Sequence, residues 1–133
     1  MAVSEAPPLA RLIRERRTIF RFKPDPIDPA AVSRWIETAV WVPNHHLTEP
    51  WRFFVLGPES RRALADIRRT LTREKYRDRP HVERVAERDW REYAEAPAVV
   101  VVGQAGSDRP EQRDEDYAAT VLAAYALTLA AWA

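Results

Sequence analysis

The hydrophobic positions of the chain follow two patterns, one typical of helices and the other of strands. Five segments carry apolar residues three and four positions apart, the spacing that places them on one face of a helix. The predicted helices are an N-terminal one capped by Ser4, entered through Pro7 and Pro8 and running to Arg16, and then Pro29 to Val40, Glu59 to Arg73, Pro80 to Ala96 and Tyr117 to Ala133. Asp28 precedes Pro29, which is the order expected of a capping residue and a first-turn proline.

Two shorter segments predict β-strands. Trp51 to Leu56 is aromatic and β-branched and is followed by Gly57, whereas Ala98 to Val102 is a continuous apolar run that ends before Gly103. Runs of this kind are typical of strands covered on both faces, and the second has the composition of a central strand rather than an edge. Because two strands cannot cover their own edges, we expect further strands after Ala133 or in another subunit.

The last predicted helix has no charged residue from Tyr117 to Ala133. A membrane span needs about twenty apolar residues, and this segment is shorter and rich in alanine, so a central buried helix is favoured. Asp114, Glu115 and Asp116 precede it, where negative charge complements the helix dipole. The chain stops without a residue that would end the helix, which indicates the N-terminal part of a longer protein or a truncated product.

Length, charge and composition narrow the classes of function. A chain of 133 residues has the length of one domain, expected over 1–133. The 21 Lys and Arg residues against 20 Asp and Glu residues give a formal net charge of +1, so no overall field attracts nucleic acid or acidic lipid. The absence of cysteine excludes disulfides and thiolate sites. The N-terminus lacks the order of a signal peptide, so we expect a cytoplasmic protein that binds neither nucleic acid nor membrane.

A basic turn, Arg16-Arg17-Thr18, follows the first predicted helix. Two planar guanidinium groups and a hydroxyl suit a terminal phosphate. The alternative is a solvated helix end, in which the arginines only complement the helix dipole. Arg16 continues the apolar stripe of its helix, which favours an anion site because a buried arginine needs an anionic partner.

The loop from Val42 to Trp51 crowds polar donors and acceptors between two prolines. The prolines restrict the backbone, so the side chains between them lose little conformational entropy on binding a ligand. His45 and Glu49 can hydrogen-bond the polar edge of a ring system, with Trp51 packed behind them. A metal site of His45, His46 and Glu49 is the alternative, but adjacent loop histidines rarely point at one ion. We therefore expect no metal, and we expect His46 to point away from His45.

Three motifs occur in order along the chain. They are Arg16-Arg17-Thr18-Ile19-Phe20-Arg21-Phe22, the Asp28-Pro29 helix, and the loop Pro43-Asn44-His45-His46 continued by Glu49-Pro50-Trp51-Arg52-Phe53. This order resembles the N-terminal half of the nitroreductase family, most of all the small bacterial branch with aspartate or asparagine before histidine in the loop. The resemblance covers nearly all of the chain. It implies an α+β fold of three layers, with a central, mainly antiparallel sheet flanked by helices, incomplete in this chain.

The resemblance also implies a function. Members of the family are FMN-dependent homodimers with the flavin at the subunit interface, and NAD(P)H is the co-substrate. In their ping-pong reaction hydride passes from NAD(P)H to the flavin, and the electrons then pass to a nitroaromatic, quinone-like or other electron-poor small molecule. By resemblance, Arg16, Arg17 and Thr18 contact the FMN phosphate and neighbouring groups, whereas His45 and Glu49 approach the flavin from the partner chain. Because the flavin carries the chemistry, we expect no catalytic side chain.

Two features depart from the family pattern. Phe20 occupies a position where a basic residue is common, and family members continue past the alanine-rich helix into further strands and a basic residue that meets the phosphate. The alternative function is therefore a non-catalytic flavin-binding or structural module that has lost turnover with its C-terminal half. A yellow protein that NAD(P)H bleaches would indicate the enzyme, and a colourless protein that FMN cannot reconstitute would indicate the module.

Overall fold

The fold is that of a computed structural model, which describes residues 9–23 and 25–133. Its elements in chain order are α1 (Leu9–Glu15), α2 (Pro29–Ala39), a short 3-10 turn (His45–Leu47), β1 (Trp51–Val55), α3 (Pro58–Lys75), α4 (Val82–Ala94), β2 (Val100–Gln104) and α5 (Pro110–Trp132). The predicted helices and strands are confirmed, although α5 begins at Pro110 rather than Tyr117. The predicted cap at Ser4 and the entry through Pro7 and Pro8 lie outside the described residues. The α+β class is confirmed.

The chain divides into two compact units. Among the described residues, the first consists of 9–18, 28–54 and 102–133, and the second of 19–23, 25–27 and 55–101. Each unit therefore combines segments that are far apart in the sequence. The expectation of one domain over the whole chain stays a prediction.

In the first unit, α2 packs against α5. The buried core contains Trp51, Ala119 and Ala123, with Val40, Val42 and Phe53 packed against it. The alanines of α5 leave room for the tryptophan ring because their side chains are single methyl groups. At the start of α2 the Asp28 carboxylate accepts a hydrogen bond of 2.9 Å from the amide of Ala30, which confirms the predicted cap.

In the second unit, α3 packs along α4. Between the helices the hydroxyl of Thr72 donates a hydrogen bond of 2.8 Å to the Asp89 carboxylate, and both side chains are buried. At the surface the guanidinium of Arg73 donates to both carboxylate oxygens of Glu83. This contact raises the pKa of Arg73 because it stabilises the charged guanidinium. Ala65 of α3 and Ala86 of α4 are also buried, so the helix pair combines buried apolar residues with a buried polar contact.

The two strands form an antiparallel sheet in the order β1-β2. The amide of Ala105 donates to the carbonyl of Pro50 at 2.7 Å, and the amide of Leu56 donates to the carbonyl of Val99 at 2.9 Å. These pairs extend the ladder by one residue beyond each end of the strands. The register therefore places Gly103 beside the ring of Phe54, 3.5 Å from the position of an added Cβ.

The expectation that both strands are covered on both faces is wrong for the described residues. Phe54 and Val55 of β1 are 56% and 55% exposed, and β2 pairs with β1 alone in this part of the chain. An apolar run reports how much hydrophobic surface a strand presents, but it does not report how many neighbouring strands are available. The sequence pattern therefore predicted the strands and overestimated their burial.

The alanine-rich helix α5 has two different faces. Its buried residues are Asp116, Ala119, Thr120 and Ala123. Its exposed large apolar residues are Tyr117, Val121, Leu122, Tyr125 and Trp132. The expectation of a fully buried helix is wrong for the second face, because a lack of charge does not ensure a covering surface. Within the described residues, no helix combines the length and the apolarity needed to cross a membrane.

Candidate functional site

Residues 44–50, here called the histidine loop, lie between α2 and β1 in the first unit and lead directly into β1. Three of its residues, none of them glycine, have left-handed backbone conformations: φ is 58° at His46, 52° at Leu47 and 43° at Glu49. Side chains with a Cβ disfavour this region, and such conformations persist only where the surrounding structure holds them. Backbone strain of this kind concentrates at ligand and active sites. The histidine loop is therefore the first candidate for a functional site.

Hydrogen bonds of Asn44 and Thr48 restrain the histidine loop in this shape. The amide of Glu49 donates to the side-chain oxygen of Asn44 at 3.0 Å, which closes the loop on itself. The hydroxyl of Thr48 donates to the Asp116 carboxylate on α5 at 2.6 Å, and Asp116 is only 4% exposed. Pro50 is fully buried and anchors the end of the loop. The polar side chains of the loop are thus presented from a restrained backbone.

The side chain of His45 contacts α5. Its Nδ1 lies 2.9 Å from the Glu115 carboxylate, and its ring stacks on that of His46 with the centroids 3.8 Å apart and the planes inclined by 26°. The expectation that His46 points away from His45 is therefore wrong. The physical reason is the left-handed backbone at His46, because it turns the side chain to the same side of the loop as its neighbour.

Glu115 was not among the residues that the sequence singled out for binding. It belongs to the acidic run before Tyr117, which the pattern assigned to the helix dipole. Because α5 begins at Pro110, Glu115 lies in its second turn rather than before the helix. A local apolar pattern cannot predict this contact, since His45 and Glu115 are seventy positions apart in the sequence. The available signal was the acidic run that directly precedes the uncharged stretch beginning at Tyr117.

The basic turn follows α1 directly. The amide of Arg16 donates to the carbonyl of Leu12 at 3.0 Å and so continues the helix by one residue, and the Arg16 side chain is partly buried. The guanidinium of Arg17 turns back to the carbonyls of Arg14 and Arg16, at 2.6 and 2.9 Å. Thr18 is exposed. Arg17 thus satisfies carbonyl groups at the end of α1, as basic residues commonly do at that position.

The five residues predicted for cofactor binding all lie in the first unit. Arg16, Arg17 and Thr18 form one set and His45 with Glu49 forms the other. Among these described residues, no hydrogen bond or ion pair joins the two sets. A site that used both sets would therefore need a ligand between them or a second copy of the chain.

The chemistry of the two sets fits FMN. Two guanidinium groups and a hydroxyl are contiguous at the end of α1, and this donor set suits a terminal phosphate dianion. The loop adds an imidazole and a carboxylate, which can serve the donors and acceptors of a flavin ring or its ribityl chain. His45 and Glu49 are exposed, so both side chains are available to a ligand. The residues present are compatible with the cofactor that the resemblance implies.

A cleft of about 900 Å³ lies elsewhere, within the second unit. It is lined by Phe20, Arg21, Phe22, Arg84, Glu87, Arg88, Arg91, Glu92 and Glu95. Basic and acidic side chains are mixed on its walls, so it has no single charge that would select a ligand. Strained backbone and restrained polar groups are better indicators of a site than open volume, and we therefore assign the candidate site to the histidine loop and the basic turn.

Comparisons with known proteins bear on the family and the fold of the chain. The model of the nitroreductase family matches residues 13–133. The chain is 30% identical over 125 residues to a Bacillus subtilis (strain 168) protein provisionally named NAD(P)H nitroreductase YfhC, covering 93% of this chain and 63% of that protein. The chain therefore spans less than two thirds of the length of this relative.

Solved structures resemble the fold over nearly its whole length. A nitroreductase-like family protein from Bacillus cereus has a TM-score of 0.79 and 30% identity, over 98% of this chain and 67% of that one. Iodotyrosine deiodinase, solved with FMN and 3-iodo-L-tyrosine, has a TM-score of 0.72 and 21% identity, over 93% of this chain and 68% of that one. The family model matches residues 13–133, which is most of the chain. The chain therefore belongs to the nitroreductase family.

Proposed function

We propose that the protein is an FMN-dependent oxidoreductase that transfers hydride from NAD(P)H, through the flavin, to electron-poor small molecules such as nitroaromatics or quinones. Membership of the nitroreductase family supports the class of reaction. The observation that carries the proposal is the pairing, in one compact unit, of a contiguous phosphate-type donor set with a strained polar loop. These are the two kinds of contact that a flavin mononucleotide needs, one for its phosphate and one for its ring.

Arg16 has the leading role in binding the phosphate. Its partial burial removes some of the water that would otherwise screen its charge, so an anionic partner is worth more there than at an exposed arginine. Arg17 reaches a ligand only if its guanidinium leaves the carbonyls of Arg14 and Arg16. Thr18 can donate its hydroxyl without such a change. We therefore rank Arg16 first, with Thr18 and Arg17 in support.

His45 and Glu49 orient the flavin ring. The Glu49 carboxylate can accept from a ring N–H or a ribityl hydroxyl, while the His45 imidazole can donate or accept. The backbone of Glu49 is restrained by Asn44, so the entropy lost when Glu49 engages a ligand is mainly that of its side chain. When FMN is bound, its ring supplies reversible two-electron chemistry between NAD(P)H and the acceptor. The protein contributes position and charge, and no side chain is assigned as a nucleophile or a general acid.

We propose a homodimer in which His45 and Glu49 of one copy meet the basic turn of the other. The exposed apolar face of α5 supports this arrangement, because monomeric proteins rarely leave contiguous apolar surface uncovered. Trp41 and Leu47, beside and within the histidine loop, are 88% and 82% exposed and add to the apolar surface of the first unit. A second copy of the chain has the matching apolar face, as a two-fold interface requires.

The test of cofactor binding is a titration of the purified protein with FMN, in which flavin fluorescence is measured. Loss of a charge-assisted phosphate contact in Arg16→Ala should weaken FMN binding by roughly 1.5–3 kcal/mol, which is about 10- to 150-fold in Kd. Arg11→Ala is the matched control, since Arg11 is an exposed arginine of the same helix paired with Glu15. Equal affinity in both variants would reject the phosphate assignment. A protein that binds no FMN at all would support the structural-module alternative.

A further inference from the structure

A cluster of three potential metal ligands lies where the histidine loop meets α5. One ligand atom from each of His45, His46 and Glu115 can be chosen so that all three lie within 4.8 Å of one another. In the described parts of the chain, 9–23 and 25–133, this is the one group of its kind. All three side chains are exposed, so an ion can reach them from solvent.

We propose that His45, His46 and Glu115 form a binding site for a first-row transition metal ion, with Zn²⁺ as the representative. Two imidazoles and one carboxylate are borderline ligands that suit Zn²⁺, Ni²⁺ or Cu²⁺, whereas Mg²⁺ and Ca²⁺ prefer oxygen ligands alone. Three protein ligands leave at least one position for water, so the site is an open one.

The backbone positions the ligands before an ion arrives. The left-handed conformation of His46 brings its ring against that of His45, at 3.8 Å between centroids. The bond from Thr48 to Asp116 fixes the loop on the turn of α5 that carries Glu115. Neither Thr48 nor Asp116 belongs to the cluster, so the geometry is held by groups that remain unchanged when an ion binds.

The distances require only a small rearrangement. Zn²⁺ holds imidazole nitrogens and carboxylate oxygens at about 2.0–2.2 Å, so ligand atoms around one tetrahedral ion lie roughly 3.4 Å apart. The separations within 4.8 Å close to this value by rotation of exposed side chains. The pair of His45 Nδ1 and Glu115, already at 2.9 Å, opens slightly as the ion takes the place of their direct contact.

Local charge favours a dication. Glu115 is flanked by Asp114 and Asp116, so the turn of α5 beside the loop carries three acidic residues in a row. With neutral imidazoles the three ligands have a net charge of −1, which a divalent ion offsets. Adjacent loop histidines seldom converge, but here the two rings stack on the same side of the loop. Since His45 also belongs to the proposed flavin site, one imidazole serves either the metal or the flavin.

The test is isothermal titration of ZnCl₂ into the protein, prepared without a histidine tag, treated with a chelator and measured without flavin. The matched pair of variants is His46→Asn and His81→Asn. Both histidines have left-handed backbones, with φ of 58° and 68°, and asparagine tolerates that conformation. His81 precedes α4 in the second unit, outside the cluster. Glu115→Gln is a third variant that keeps the size of the side chain.

We expect one Zn²⁺ per chain in the unmodified protein and in His81→Asn. The Kd for Zn²⁺ should rise at least about ten-fold in His46→Asn and in Glu115→Gln. Even the loss of a group that only hydrogen-bonds to a metal ligand lowers metal affinity by about 10- to 100-fold. No Zn²⁺ binding by the unmodified protein, or equal binding by all variants, would overturn the proposal. Because the titration contains no flavin, its failure leaves the proposed function intact, and failure of FMN binding leaves the metal site intact.

Discussion

Replacement of Thr48 by valine removes the hydroxyl that ties the histidine loop to α5 and nearly preserves the shape of the side chain. The hydroxyl donates to the Asp116 carboxylate at 2.6 Å, and Asp116 is buried. A hydrogen bond to a charged group contributes about 1.5–3 kcal/mol, and removing one partner leaves the other buried with an unmet acceptor. We therefore expect Thr48→Val to lower the free energy of unfolding by about 2 kcal/mol.

Urea denaturation followed by tryptophan fluorescence measures this change, because Trp51 lies buried in the same unit. With a slope near 2 kcal/mol per molar urea, a loss of about 2 kcal/mol lowers the midpoint by about 1 M. Thr38→Val is the matched control, since the Thr38 hydroxyl bonds only to the carbonyl of Arg34 in its own exposed helix turn. That substitution should change stability by less than about 0.5 kcal/mol.

A double-mutant cycle isolates the contact itself. Thr48→Val, Asp116→Ala and the double variant together should give a coupling energy of about 1–3 kcal/mol, as expected for residues in direct contact. Hydrogen exchange of the loop amides should accelerate in Thr48→Val, because the strained backbone loses a restraint. If Thr48→Val is as stable as Thr38→Val and the coupling is near zero, the account of how the loop is held is refuted.

Three further predictions address the fold and the cofactor site. Asp28→Ala should lower the free energy of unfolding by about 1 kcal/mol because the cap of α2 is lost, whereas Asp25→Ala should not. Thermal denaturation measures the difference between the two variants. Equal melting temperatures would contradict the role of the cap. Light scattering should find a dimer with an interface above about 2,000 Å², and Val121→Asp on the exposed face of α5 should dissociate it; a stable monomer at micromolar concentration would reject the dimer. His45→Ala and Glu49→Ala should each weaken FMN binding, and unchanged affinity in both would remove the loop from the flavin site.

Local chemistry made the helices and the first strand predictable from the sequence. Asp28 and Pro29 define the start of α2 by contacts within a few residues, and these contacts are present. Helical spacing of apolar residues likewise defined α3 and α4 to within a few positions. β2 lies two residues later than the apolar run because strand limits are set by pairing with β1, which the run itself does not encode.

The candidate site was predictable only in part. The stripe of α1 predicted that Arg16 is substantially buried, but Arg16 is only partly buried and no residue of α1 is buried. The loop containing His45 and Glu49 was found by its composition. The contact of His45 with Glu115 joins residues distant in sequence, so no local pattern contains it. The left-handed backbone at His46 depends on the bonds that hold the loop, and this dependence explains why the predicted divergence of the two histidines was wrong.

Anaerobic titration of the FMN-loaded protein with NADH or NADPH measures hydride transfer to the bound flavin. The yellow absorbance should bleach with about one equivalent of reduced nicotinamide per flavin, since each is a two-electron carrier. The colour should then return on addition of a nitroaromatic or a quinone. FMN that stays oxidised on the protein in the presence of excess NADH and of excess NADPH would refute hydride transfer and favour the non-catalytic module.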